Sequence, residues 1–326
     1  FVDTDLLLRS LRFSRKSEQI LAQTDSLSRL ALEAFARGVN QYIDDNNGSL
    51  PPEFAILQYK PEKWNAINSL NMIGYMAWDL KAGWSEILLM NIRNAVDSVR
   101  YSQIIPDSGK IQPTVYSTKD EGKDFSSLLP LQLLNTAQLQ DLGTDVFDGS
   151  NNWAVSGSRS TTGKPMLAND MHLGLSIPGI WYQIHQVVPG KLNVSGLLLP
   201  GAPVVVCGHN EKIAWGMTNT YVDNLDFYEE KVTDGDYYEY EGEKRKMETV
   251  KTVIRIGKKE QTERILQFTH HGPVVSSFKG IKDKVVTMHW VGDEPSNEFR
   301  SIILLNRAGN WNDFKTAISE NGRAPF

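Results

Sequence analysis

The chain has 326 residues, 40% of them hydrophobic and 22% charged, which suits one large domain or about two with a sizeable core. Its net charge of -5, with both signs mixed along the sequence, argues against a nucleic-acid partner, which calls for a clustered basic face. No apolar run approaches the length that spans a bilayer, and the single Cys207 excludes an intrachain disulfide while leaving the redox compartment open. The opening Phe1-Val2-Asp3-Thr4-Asp5 carries neither an initiator Met nor a signal peptide, so the natural N-terminus is expected upstream.

From Asp5 to about Asn94 the pattern is helical. Leu27, Leu30, Leu32, Phe35, Val39 and Ile43 recur along a segment opened by Asp25 or Ser26, which predicts an amphipathic helix. Pro51 and Pro52 break it, and Asn65 to Val96 reads as a second long helix, interrupted near Gly83. Residues 101–149 are mixed, with a Pro106-Asp107-Ser108-Gly109 turn and a charged Lys119-to-Lys123 patch, and read as a spacer or connector.

Beyond Ser150 the chain turns β-rich. Strand candidates are Trp181–Val188, Asn193–Leu199, Pro203–Cys207 and Lys212–Gly216, separated by Pro and Gly. Thr252–Ile256 and Arg264–Phe268 flank a Gly-Lys-Lys-Glu turn as a hairpin, and helices are expected at Glu298–Leu305 and Trp311–Ile318. Helices first and strands afterwards give an α+β chain: a helical region over 1–100, the spacer over 101–149, and a third region over 150–326.

Gly149-Ser150-Asn151-Asn152-Trp153 suits a plain surface turn, but it also suits a cut site. A serine freed as an N-terminus carries an α-amine beside its hydroxyl, so one residue supplies nucleophile and base. The sequence downstream favours this second reading. Ser150 to Ser158, Gly163 to Leu173 (with Asn169-Asp170-Met171-His172), Pro200-Gly201-Ala202-Pro203 with Gly208-His209-Asn210, Ile213 to Thr220, and Thr269-His270-His271-Gly272-Pro273 follow one another in an order that resembles the penicillin acylase family of N-terminal-nucleophile hydrolases.

That resemblance implies an αββα four-layer sandwich preceded by a mostly helical α-chain, with self-cleavage between Gly149 and Ser150 into an α-chain/β-chain heterodimer. It makes Ser150 the nucleophile of an amidohydrolase acting on a small N-acylated molecule, and the backbone N–H of Asn219 the first oxyanion donor. The second donor, an asparagine side chain, is expected beyond Phe326, so the sequence reads as truncated at both ends.

His172 stands where family members put Gln or His close to the nucleophile, although a lone histidine is as often structural. A Ser150–His172–Asp170 triad can be drawn on paper, but nothing like Gly-x-Ser-x-Gly surrounds Ser150. His209 and His185 read as structural.

Asp223 and Asp226, with the Leu225 carbonyl between them, offer hard oxygen ligands, and the resemblance joins Glu86 to them in a structural calcium site. No organic cofactor is implied. The resemblance sets Met76, Leu80 and Cys207 on the acyl pocket wall, where all three could equally be core. Leu80 and Cys207 stand where benzylpenicillin enzymes have larger aromatics, so an acyl-homoserine lactone or other lipid-amide acylase is an alternative, and a non-catalytic acyl-ligand-binding relative is another. Family members are mostly exported, which makes the periplasm or the exterior the expected location.

Overall fold

Helices come first: α1 (Val2–Ser10), α2 (Phe13–Gln23), α3 (Ser26–Asp45), α4 (Pro52–Leu57) and α5 (Ala66–Asp79). The computed structural model describes residues 2–80, 85–104, 149–174, 177–219, 223–256, 260–279, 281 and 283–319. Residues 1–81 with 149–326 form one unit and 82–148 a second. The described part of the second comprises α6 (Ser85–Ala95) and α7 (Ser98–Ile104). The spacer expected over 101–149 therefore falls mainly outside the described residues, with 101–104 closing α7 and Gly149 opening a strand.

Local chemistry sets the helix starts. The Asp25 carboxylate accepts from the N–H groups of Leu27 and Ser28 at 3.0 and 3.1 Å, capping α3. Burial pushes the Asp25 carboxyl up, but bonds from Ser28 and Leu27 outweigh it and hold it below the usual range. Asn65 caps α5 in the same way, and Asn68 Oδ1 returns a bond to the Asn65 N–H at 2.9 Å. One expectation for α3 is corrected. Its buried stripe is Ser28, Leu32 and Ala36, whereas Leu27 and Leu30 are 40% and 57% exposed. Residues at i, i+4 spacing share a helix face, so α3 turns that row inward, towards α5.

Among the described residues twelve strands follow: β1 (Gly149–Val155), β2 (Met166–His172), β3 (Tyr182–Val188), β4 (Leu192–Leu198), β5 (Cys207–Asn210), β6 (Ala214–Trp215), β7 (Leu225–Asp234), β8 (Tyr237–Tyr240), β9 (Glu243–Lys246), β10 (Glu248–Ile256), β11 (Glu260–Phe268) and β12 (Val285–Trp290). After them come α8 (Glu298–Arg307) and α9 (Trp311–Ser319). All described ladders are antiparallel, in sheets ordered β1-β2, β10-β11, β12-β7-β8-β9 and β3-β4-β5-β6. The β10-β11 hairpin and the strands near 182–188, 192–198 and 214–215 match expectation.

Pro203–Cys207 does not form the expected strand. Proline has no N–H to give a ladder, and Val205 instead bonds a side chain: its N–H donates to Asn306 Oδ1 at 2.9 Å and its carbonyl accepts from Asn306 Nδ2 at 2.7 Å. The ladder resumes at Cys207, where β5 meets β4 at a pair of facing glycines. A Cβ on Gly196, whose φ is +154°, would sit 2.1 Å from the Cys207 carbonyl oxygen, and one on Gly208 would sit 2.2 Å from that of Ser195. Only glycine permits this approach.

One apolar cluster joins early helices of the larger unit to its later segments, and a smaller one packs Leu6 against Ile254, Leu266 and Phe268. In the first, Ile20, Leu32, Leu70, Ile73 and Met76 from the first helices pack with Leu199, Ala202, Val204, Phe299, Ile302 and Ile303. Beside it, Lys16 Nζ lies 3.7 Å from Glu298 Oε1, with side chains 7% and 6% exposed, and donates to the Gly292 carbonyl at 2.6 Å.

Removing one member of such a pair leaves an uncompensated buried charge. Lys16→Met is therefore expected to destabilise the fold by about 3–5 kcal/mol. Urea unfolding of the variant beside the parent checks this, and a change below about 1 kcal/mol would show that Glu298 finds another partner or is not buried in solution.

Candidate active site

Ser150 is half-buried in β1, directly opposite Met171 of β2. Paired residues share a face of the ladder, and neighbours along a strand alternate. Ser150, Asn152 and Met171 accordingly line one cavity of about 260 Å³, whereas Asn151, Asp170 and His172 occupy the other face. His172 Nε2 lies 3.0 Å from Asp170 Oδ2 and 3.3 Å from Asn151 Nδ2. The Asp170–His172 pair that a triad needs thus exists, but the pleat turns it away from Ser150. His172, expected close to the nucleophile, is not among the residues that line this cavity.

The cavity is apolar. Its wall includes Ile73, Met76 and Leu80 from the α5 side, Trp181, Leu199, Val204 and Cys207 from the sheet side, and Ile302, Leu305 and Phe314 from the closing helices. Met76, Leu80 and Cys207, expected on an acyl pocket wall, are among the residues that line this cavity. None of the described wall residues bears a charged side chain.

Asn219 also lines the cavity, and its Nδ2 donates to the Leu80 carbonyl at 2.8 Å. The segment leading to it is fastened to β2 by a residue whose role the sequence did not reveal. Asn169 Oδ1 accepts from the Met217 N–H at 3.0 Å, and its Nδ2 donates to the carbonyls of Met217 at 2.9 Å and Asn151 at 3.0 Å. Gly216 makes the approach possible, since a Cβ there would come within 2.8 Å of Asn169 Cβ and 3.0 Å of Asn152 Nδ2. The only sequence signal for Asn169 was its membership of a motif that was quoted without a role for it.

Cys207 is 4% exposed, and its thiol lies 3.5 Å from the Met171 sulfur. Burial pushes its pKa up to about 11, opposed only in part by a backbone hydrogen bond with Met217. A thiol so protonated is a poor nucleophile.

The other expected residues sit elsewhere. His209 Nδ1 is 3.3 Å from the Asn210 carbonyl oxygen and His185 Nε2 is 2.8 Å from Asn193 Oδ1, both structural positions. Asp223 and Asp226 flank the start of β7, with carboxylate oxygens within 4.8 Å of one another and the buried Leu225 between them. Glu86 belongs to α6 of the second unit. No helix among the described residues is long and apolar enough to cross a membrane.

Known proteins place this arrangement in context. The acyl-homoserine lactone acylase QuiP of Pseudomonas aeruginosa is 27% identical over 297 residues, covering 87% of this chain and 34% of its own length. The penicillin acylase 2 proenzyme of Pseudomonas sp. strain SE83 is 27% identical over 285 residues, covering 84% of this chain and 36% of its own. A solved structure, the thermostable penicillin G acylase from Alcaligenes faecalis, aligns over 52% of this chain and 31% of its own at 27% identity and a TM-score of 0.45. The chain thus spans about a third of the length of the curated relatives it matches. The penicillin amidase family profile matches residues 1–325, end to end, and the chain belongs to that family.

Proposed function

We propose that the chain is the nucleophile-bearing part of a self-processing amidohydrolase that removes an acyl group from a small N-acylated molecule. One observation carries this reading: Ser150 and Asn219 stand on the wall of one apolar cavity, together with Met76, Leu80 and Cys207. The acylase names of the relatives support the reaction class.

In this reading the Ser150 hydroxyl attacks the Gly149 carbonyl, the peptide C–N bond breaks as the acyl group shifts to Oγ and frees the Ser150 α-amine, and water hydrolyses the ester to a Gly149 carboxylate and the regenerated hydroxyl. An N-terminal amine has a pKa of about 7.7–8, so a useful fraction is unprotonated near neutral pH and accepts the hydroxyl proton. The hydroxyl then attacks the substrate amide, the amine product leaves, and water frees the acid from the acyl-enzyme. The Asn219 N–H donates to the oxyanion, a contribution of about 3 kcal/mol in comparable hydrolases. The two fragments stay together as a heterodimer within an αββα sandwich, exported to the periplasm or beyond, as the family resemblance suggests.

The wall is apolar, and Leu80 and Cys207, which stand where benzylpenicillin enzymes have larger aromatics, favour a linear acyl chain over a phenylacetyl group, the preference an acyl-homoserine lactone acylase would have. Each methylene buried contributes about 0.8 kcal/mol, so octanoyl amides are expected to exceed butanoyl amides in kcat/KM by on the order of a hundredfold. A panel of acyl chain lengths, with phenylacetyl included, decides it.

Asp223, Asp226 and the Leu225 carbonyl are hard oxygen donors that fit calcium. Bound there, calcium would act as a structural tie. Chelator treatment of the full-length protein is expected to lower Tm, with calcium restoring it in the parent and failing to do so in Asp223→Ala.

The decisive test is the intact mass of the full-length protein under denaturing conditions, beside Ser150→Ala. Two fragments, one beginning at Ser150 and both missing in the variant, are expected; a single uncut chain in both would favour a non-catalytic relative that binds acylated ligands. Cys207 gives an independent check on the nucleophile. With its pKa near 11 it should resist iodoacetamide at pH 8 in the native state and react fully in guanidinium. Rapid native labelling would reopen the choice between Ser150 and Cys207.

A further inference from the structure

Glu230, His270 and His271 gather donor atoms that the cavity around Ser150 does not use. Glu230 comes from β7, and the two histidines lie in the turn that follows β11. One potential ligand atom from each lies within 4.8 Å of the other two. Glu230 is 8% exposed, and its Oε1 accepts from Thr269 Oγ1 at 2.6 Å, from Thr287 Oγ1 at 2.7 Å and from His271 Nδ1 at 2.9 Å.

Aromatic packing holds the rings in position. His271 stacks on Tyr228 at 3.8 Å with planes 5° apart, and His270 lies 3.8 Å from the Tyr240 ring, with Nδ1 3.2 Å from the Tyr238 hydroxyl. The two imidazole centroids are 3.7 Å apart. Both histidines also border a polar cavity of about 410 Å³, where Arg12, Arg15 and Lys16 are balanced by Glu248, Asp293 and Glu294. That cavity supplies an entry path and room for water.

We propose that Glu230, His270 and His271 bind one divalent transition metal of the zinc class. Two imidazoles and one carboxylate suit zinc, nickel or copper, whereas calcium wants six to eight oxygens. Metal bonds of about 2.0–2.2 Å span ligand atoms up to about 4.2 Å apart, so modest ring rotation closes the set. The cation takes the position of the proton between His271 Nδ1 and Glu230 Oε1, and that proton is exchanged through solvent for one on Nε2, so the ring ligates as neutral imidazole. Thr269 and Thr287 keep the carboxylate oriented, and water from the cavity completes the coordination. The ion fastens the turn after β11 to β7.

Calorimetric titration of zinc chloride into the chelator-treated full-length protein, with excess calcium present to fill oxygen sites, tests the proposal. One equivalent of zinc is expected to bind, and His270→Gln should weaken it by on the order of tenfold or more. Because His270 is exposed, the zinc-free variant should keep its Tm within a few degrees, which separates lost ligation from lost folding. No binding by the parent, or undiminished binding by a folded His270→Gln, overturns the assignment.

Discussion

The larger unit depends on one apolar cluster to which both ends of the sequence contribute. Ile20, Leu32, Leu70, Ile73 and Met76 cannot be buried without Leu199, Ala202, Val204, Phe299 and Ile302, and the reverse holds as well. Each such side chain gains roughly 1.5–3 kcal/mol on full burial, so the helices and the sheet-bearing half stabilise one another well beyond any single polar contact. A break at Gly149–Ser150 would not separate them, since the contacts that matter lie on both sides of that bond. The cavity beside Ser150 is a hollow in the same cluster, with Ile73, Met76, Leu199 and Ile302 serving as both core and wall. In the proposed function, packing and acyl recognition would constrain the same side chains.

Register is the second constraint. In the β1-β2 ladder, pairing Ser150 with Met171 sends both into the cavity and sends His172 and Asp170 to the opposite face. A slip by one residue would exchange the two sets. Asn169 resists that slip by bonding the Met217 backbone through both ends of its amide, a geometry that also sets where the chain runs on towards Asn219. Gly216 is the counterpart of this bond, because any larger residue would hold the two segments apart.

Much of this was legible in the sequence, for identifiable reasons. Helix starts are local chemistry, so Asp25 and Asn65 could be read from the residues around them. The β10-β11 hairpin follows from alternation on either side of a Gly-Lys-Lys-Glu turn. Period alone could not tell which stripe of α3 is buried, since Leu27 and Leu30 fit the spacing yet face water, and small Ser28 and Ala36 take the inward positions. Nor could it show that the Val205 backbone pairs with Asn306, 101 residues away, in place of a neighbouring strand. The strands β7, β8 and β9 were missed because charged residues such as Glu229, Lys231 and Lys244 interrupt their apolar runs. For the site, motif order pointed to Ser150, Asn219 and the pocket wall, but side-chain direction across a pleat is a property of pairing, and His172 shows the cost of inferring it from sequence distance.

The contrast between the two cavities bears on how the nucleophile could work. The wall beside Ser150 bears no charged side chain among the described residues, and the same apolar surroundings push the Cys207 thiol up to about 11 by disfavouring its charged form. For an amine the charged form is the protonated one, so desolvation acts in the opposite direction and lowers its pKa. An α-amine generated on Ser150 would then spend more of its time as the free base than the same group in water, without a histidine or carboxylate to assist it. The turning of Asp170 and His172 away from the cavity is consistent with that economy: a carboxylate facing the amine would favour its protonated form and suppress the base. The polar cavity around His270 and His271, where charges of both signs gather, provides the opposite environment. The fold thus separates an apolar pocket, which the proposed amine base would require, from a polar one bordered by charges of both signs, which the proposed cation would require.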